Sequence, residues 1–255
     1  MSRTLLIDAD IFAYVASSAT EGVFYFNGSD SEPAVDENLD AALDIAKRDI
    51  EDVANQLKAT RVIVCLTDEH NFRLDVLPSY KSNRKEVRKP STLKRIKQFY
   101  ADNYECYQRP SLEADDCMGI LSTHKTLVPG ERIIVSTDKD MQTIPGLLFN
   151  PKKDSKPRRI SEVAADRYFM SQVLTGDPTD GYKGCPGIGP KSPYVVALNE
   201  CHTLKQMWSV VLEGYASKGL TADDALVQAR CARILRASDW DFSRKAPRLW
   251  TAPSN

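Results

Sequence analysis

Three segments of this chain, TLLIDAD at residues 4–10, RVIVCLTD at 61–68 and RIIVSTDKD at 132–140, share one form: a short apolar run of Ile, Val and Leu that ends at once in aspartate. Uninterrupted apolar runs of this length suit parallel strands that are buried on both faces. Helical patterns lie between them. DENLDAALDIAKRDIEDVANQLK places Leu39, Leu43, Ile50, Val53 and Leu57 at helical spacing, and residues 111–127 form another helix after Pro110. Strand and helix alternate, so the expected fold class is α/β, with a mainly parallel central sheet and flanking helices. In open sheets of this kind the carboxyl ends of the strands line the active crevice. Asp8, Asp10, Asp68, Asp138 and Asp140 should therefore converge there.

The stretch SLEADDC adds Glu113, Asp115 and Asp116 at a helix start. In an ideal helix positions 113 and 116 share a face while 115 points elsewhere, so the three cannot all bind one ion directly. One acidic helix start is explained by the helix dipole alone. A whole crevice of carboxylates is not, because the charges repel unless cations neutralise them. An all-oxygen ligand set without His or Cys favours a hard ion, Mg²⁺ with Mn²⁺ as a substitute. Two such ions would stabilise both the attacking and the leaving oxygen of a phosphoryl displacement.

Charge is segregated along the chain. The net charge is −1, yet residues 81–97 carry +7 and residues 151–160 carry +4, which leaves −12 on the remainder. Two basic runs in an otherwise acidic chain point to contact with a polyanion. GCPGIGPKS at 184–192 resembles a phosphate-binding P-loop, but Pro190 interrupts the pattern and the preceding TGDPTDGYK is turn-forming, with no strand character. Further on, Ala165, Phe169 and Val173 share a helix face that ends at Gly176, and TADDALVQARCARILR opens with a Thr cap, so the C-terminal part reads as helical. The six cysteines show no metal-like spacing with the three histidines and are expected to be reduced and mostly buried. No apolar run reaches the ~18 residues of a membrane span, and a strand starts where a signal peptide would need its apolar core. A cytoplasmic location is expected, the host cytoplasm if the gene is a phage's.

Between the second strand and SLEADD, the segment carrying Asp68, then FR, then LPSYKSNR resembles the 5′ nuclease family of flap endonucleases, phage 5′-3′ exonucleases and the 5′ nuclease domain of bacterial DNA polymerase I. LIDAD, LEADD, STDKDMQ and GDPTDGYKGCPGIGPKS follow in that family's order over most of residues 4–200, and the short chain looks most like the stand-alone phage exonucleases.

The resemblance implies a PIN-like nuclease domain over 1–165, with a basic helical arch at about 78–104, and a helical, helix-hairpin-helix DNA-binding region over 166–255. It implies two Mg²⁺ ions held by Asp8, Asp68, Glu113, Asp115, Asp116, Asp138, Asp140, Asp177 and Asp180, with Asp10 outside the ligand set. Lys81 and Arg84 would act on the scissile phosphate, and Tyr80 would offer a face on which a terminal base could stack. Lys85, Arg88 and Lys94 would extend the DNA contact along the arch. Gly187, Gly189, Lys191 and Ser192 would grip duplex phosphates, with a K⁺ ion at the hairpin. Ser192 and Pro193 suit a helix start, as N-cap and N1. The implied activity is metal-dependent hydrolysis of DNA near 5′ ends, as exonuclease and flap endonuclease, in replication, primer removal or recombination. The implied partners are DNA with a 5′ end or flap, RNA-primed substrates included, and a single-strand-binding protein or a DNA polymerase, with the nuclease itself a monomer. Two rival readings are a PIN-type ribonuclease and a DNA-binding protein that no longer cleaves. YKSNR and the hairpin speak against the first, and the presence of Asp138, Asp140 and Asp180 speaks against the second.

Overall fold

The computed structural model describes residues 2–24, 34–84 and 87–253. The first half alternates as the apolar runs predict: β1 (Arg3–Asp8), α1 (Ala9–Ala19), β2 (Glu21–Phe24), β3 (Ala34–Glu37), α2 (Leu39–Gln56), β4 (Arg61–Cys65), α3 (Arg73–Val76), α4 (Leu93–Asn103), β5 (Glu105–Tyr107), α5 (Ala114–Thr123), β6 (Glu131–Val135) and β7 (Gly146–Phe149). Then β8 (Arg158–Ile160) leads into α6 (Glu162–Thr175), α7 (Pro193–Ala197), α8 (Leu204–Ala216) and α9 (Ala222–Ala232), and a short hairpin of β9 (Trp240–Asp241) and β10 (Ala246–Pro247) follows.

The main sheet has the order β5-β4-β1-β6-β7-β8, parallel throughout except for β8 against β7. Period-two alternation sends successive side chains of each strand to opposite faces. Leu5, Ile7, Val64, Ile133 and Val135 meet Ala13, Ala46, Ile50, Ile96 and Tyr100 of α1, α2 and α4 on one face. Leu6, Ile63 and Ile134 meet Cys117, Ile120 and Leu121 of α5 on the other. A third core joins Phe169 and Val173 of α6 to Val211 and Tyr215 of α8 and Ala225 and Ala229 of α9. Asp8 ends the central strand, so its carboxylate emerges in the middle of the sheet's carboxyl edge.

The structure corrects several expected boundaries. The division at 165/166 falls inside α6. After α9 the chain returns to the first half, where Ile234, Leu235 and Trp240 pack with α5. The helix expected over 221–236 stops at Ala232, because Arg73 takes the carbonyls of Cys231 (2.9 Å) and Arg233 (2.6 Å) and the Leu235 amide donates to Asp116 (2.9 Å). The helix expected over 111–127 is α5 alone, begun by the reciprocal Glu113–Asp116 capping box. Among the described residues of the expected arch, a 3-10 turn spans Ser82–Arg84 and α4 begins after Pro90. From residue 93 the segment packs against α2: Ile96 and Tyr100 are buried, and the Tyr100 hydroxyl donates to the Ala46 carbonyl (3.1 Å). The six cysteines are free, five of them buried. Among the described residues no helix is long and apolar enough to cross a membrane.

The return strap lies directly against α5 at Gly119, where an added Cβ would stand 2.2 Å from the Leu235 carbonyl oxygen. Backbone cannot give way as a flexible side chain would. Gly119→Ala is expected to lower unfolding free energy by about 2–3 kcal/mol or more, read as a lower urea midpoint. A midpoint equal to that of the unsubstituted protein would show that the strap is not tightly docked.

Candidate active site

The strand ends and the start of α5 bring most of the expected acids together. The Asp8 carboxylate caps α1 through the Ile11 amide (3.2 Å) and accepts from the Ser136 hydroxyl (2.7 Å). Ser136 in turn receives the Asp138 amide (3.0 Å), and the Asp138 carboxylate receives the Asp140 amide (2.8 Å). One hydroxyl thus ties the end of β1 to the loop after β6. Asp68 accepts from the Ser111 amide (2.8 Å), which fixes the loop after β4 against the approach to α5. Glu113, Asp115, Asp140 and Asp180 line a cavity of about 10 Å³, shared with Tyr80, Gln172 and Tyr182. Among the described residues no three acids, histidines or cysteines are drawn into one coordinating cluster.

The electrostatics separate these acids into two groups. Burial, together with Asp10 and Asp138, pushes the Asp8 carboxyl up to about 7. Burial and the neighbouring Asp138 carry Asp140 to about 7 as well. Asp115 is raised well above the usual carboxylate range by burial, then by Asp8, Asp138 and Glu113. The second group has cationic partners. Glu113 is buried, yet Lys81 and Arg73 hold it at about 2. Asp177 is pulled below its ordinary value because the Lys139 ammonium (2.9 Å) and the Thr179 amide (2.7 Å) outweigh its burial.

Arg73 holds Glu113 of this second group, together with Asp116. It is 2% exposed and uses all three of its guanidinium nitrogens. It forks onto both Asp116 oxygens at 2.8 Å, reaches Glu113 at 3.1 Å and takes the two strap carbonyls. Asp116 is fully buried, and its oxygens also accept the Leu235 and Glu113 amides. It is therefore an anchor of the fold, whereas Asp115 is the α5 acid whose surroundings are Asp8 and Asp138. Asp177 likewise has both oxygens engaged, in a turn and on Lys139.

YKSNR docks against the turn at 177–181. The Lys81 ammonium donates to Glu113 and lies 3.5 Å from Asp180. Arg84 donates to Asp180 (2.7 Å) and the Thr179 carbonyl (3.1 Å), and Asn83 donates to the Pro178 carbonyl (3.0 Å). The Lys81 amide donates to the Asp180 carbonyl (2.8 Å). Gly181 has φ +76°, and a Cβ there would meet the Lys81 nitrogen and Ser79 oxygen at 3.2 Å, so glycine is what lets the two loops close. The expectation for Tyr80 is overturned. The residue is 3% exposed, and its hydroxyl donates to Glu113 (3.1 Å) and Asp180 (2.9 Å), so it offers no face to a base. Lys85 lies outside the described residues. Arg88 pairs with Glu21 (2.7 Å), Lys94 is exposed on α4, and Asp10 pairs with Lys97 (2.7 Å).

On the helical side, Gly187, Gly189, Lys191, Ser192 and Pro193 line an open groove together with Lys218. Ser192 occupies the N-cap of α7 with Pro193 following, but its side chain makes no capping bond. Lys218, just after α8, is a cation of this groove that the sequence reading does not name. Nor does it name Ser136, or Gln172, which donates to Asp140 (2.7 Å). Arg73 stands in the quoted FR with no role. Only Ser136 has a legible signal, its position at a strand end between Val135 and Asp138.

Residues 3–149 match the family described as 5′-3′ exonuclease, N-terminal resolvase-like domain. The chain belongs to that family. It is 27% identical to the exodeoxyribonuclease of Enterobacteria phage T3, over 98% of this chain and 93% of that protein. It is also 27% identical to the exonuclease of Escherichia phage T7, over 96% and 92% respectively. The fold resembles the T5 D15 protein co-crystallised with metal ions, with a TM-score of 0.62 and 16% identity over 90% of this chain and 91% of that one.

The raised acids make the metal-free protein pH-sensitive. A carboxyl at about 7 keeps a proton that the unfolded chain loses near pH 4, so the fold loses stability as pH rises between those values. Asp140→Asn removes that penalty. In chelator, its melting temperature should exceed that of the unsubstituted protein by several degrees at pH 8 and converge with it near pH 4. A lower melting temperature at pH 8 would contradict the assignment.

Proposed function

We propose that this chain hydrolyses DNA phosphodiesters near 5′ ends, as a divalent-metal-dependent 5′-3′ exonuclease and structure-specific flap endonuclease. The observation that carries the proposal is the juxtaposition of partner-poor acids with Lys81 and Arg84 at one edge of the sheet. Asp8, Asp115 and Asp140 are elevated together; among the described residues Asp8 and Asp115 stand in no ion pair and Asp140 has only Lys139, at 4.0 Å, whereas Glu113, Asp116 and Asp177 have cations at 3.1 Å or less. That donor set fits hard divalent cations, Mg²⁺ first. Asp8, Asp115, Asp138 and Asp140 would hold them, with Asp68, Glu113 and Asp180 beside them. Bound there, such ions would act as Lewis acids toward the phosphate.

The chain's own residues supply the rest. Lys81 and Arg84 stand on one loop, and each is already directed at an anionic group, so a phosphate reaching the acids meets two cations of fixed position. Arg84 offers a planar fork suited to a pair of phosphate oxygens. Lys191 and Lys218, with the backbone of 187–192, form a groove that suits duplex backbone. A similar fold is seen in a T5 flap endonuclease complexed with DNA and metal ions, at a TM-score of 0.62.

End-labelled duplex, 5′-flap and RNA-primed substrates incubated with Mg²⁺ test this reading. Cleavage should start at 5′ ends or flap junctions and cease in chelator. Asp115→Asn should lower single-turnover rates by several orders of magnitude while DNA binding persists, since the loss of a negative charge does not repel phosphate. Full activity in that variant, or attack from 3′ ends, would refute the proposal.

A further inference from the structure

The two basic segments differ in a way that composition hides. In residues 81–97 most cations are matched by acids: Lys81 with Glu113, Arg84 with Asp180, Arg88 with Glu21, Arg95 with Glu37 and Lys97 with Asp10. The Arg88 pair is close enough to hold Glu21 at about 2. The apparent +7 is therefore largely cancelled in space. Residues 151–160 are arranged otherwise. Lys152, Lys153, Lys156 and Arg159 are exposed, and among the described residues no carboxylate stands within ion-pair distance of any of them. Only Arg158 approaches one, Asp154, at 3.7 Å.

This turn is also rigid and well placed. The Asp154 carboxylate accepts the Asn150 amide (2.8 Å), the Asn150 side chain accepts the Lys152 amide (2.9 Å), and the Asn150 carbonyl accepts the amides of Lys153 (3.1 Å) and Asp154 (2.8 Å). Asn150 also donates to the Thr137 carbonyl (3.4 Å), one residue before Asp138. The turn follows β7, and β6 and β7 run parallel, so it rises from the same edge of the sheet as the acids. The 81–97 segment follows β4, on the opposite side of β1 in the strand order. The acidic crevice thus lies between the two basic segments, and the unneutralised one is on the β7 side.

We propose that the 150–159 turn is a docking site for the phosphate backbone of duplex DNA, on the side of the crevice away from YKSNR. This rests on the nuclease reading and extends it with a second anchoring surface, separate from the Lys191 groove. A mobile cation run would lose entropy on binding, whereas here hydrogen bonds fix the backbone at 150–154 and Arg159 lies in β8 opposite Leu147. Asp154 offsets part of the turn's charge and Asp49 and Asp52 share a cleft with Lys152, but among the described residues no carboxylate pairs with Lys153, Lys156 or Arg159, so their field reaches into solvent.

The test is the salt dependence of duplex binding in chelator. The combined variant Lys153→Ala, Lys156→Ala, Arg159→Ala should lower the slope of log K against log salt by about 2–3, and weaken binding at least about tenfold near 0.1 M salt. Its melting temperature should stay unchanged, because the three side chains are exposed. The charge-keeping set Lys153→Arg, Lys156→Arg, Arg159→Lys should retain the slope. An unchanged slope in the alanine variant, beside a lowered slope in Lys191→Ala, would overturn this inference and leave the nuclease reading intact. Absence of duplex binding by the unsubstituted protein would refute both.

Discussion

Acids crowded at the end of a parallel sheet are the constraint to which the rest of this structure answers. Parallel strands covered on both faces leave their carboxyl ends as the natural place for chemistry, and the same burial makes charge there costly. The chain meets that cost in two ways. Some acids are given a cation and others are left raised. Arg73 is the clearest case of the first, since one buried guanidinium serves Asp116, Glu113 and two strap carbonyls. Removing one partner from a buried pair typically costs about 3–5 kcal/mol. The geometry of α5 therefore depends on the C-terminal strap as much as on the sheet.

The cations on YKSNR tie the two halves of the molecule together. Lys81, Asn83 and Arg84 reach across to the turn at 178–180, and Tyr80 fills the space beneath, bonded to both Glu113 and Asp180. The loop that carries these cations is thus held by the loop that leads to the groove at 187–193. That groove is therefore positioned relative to the acids by contacts between the two loops.

Much of this arrangement was legible in the residues. Apolar runs ending in aspartate foretold the parallel sheet and the convergence of Asp8, Asp138 and Asp140, because strand burial and strand direction are local properties of sequence. Helical spacing located α2 and α6. What was not legible depends on partners distant in sequence. Nothing near Asp116 announces that Arg73 will fork onto it, so an acid in LEADD reads as a ligand like its neighbour. Tyr80 reads as exposed because it adjoins Lys81, yet the turn at 177–181 covers it. The +7 run reads as an arch of free cations, although five acids scattered from Asp10 to Asp180 neutralise five of its members.

The central claim is that burial and mutual repulsion hold the carboxyls of Asp8, Asp115 and Asp140 above the usual carboxylate range, a cost that a bound divalent cation would relieve. Calorimetric titration with Ca²⁺ or Mg²⁺ at pH 6.5, repeated in buffers of different ionisation enthalpy, tests it without relying on turnover. Carboxyls near 7 must release protons as the cation binds, so the observed enthalpy should vary with the buffer, and the release should shrink by pH 8.5. Cation binding with the same enthalpy in every buffer at pH 6.5 would mean that these acids are already ionised, and would contradict the account.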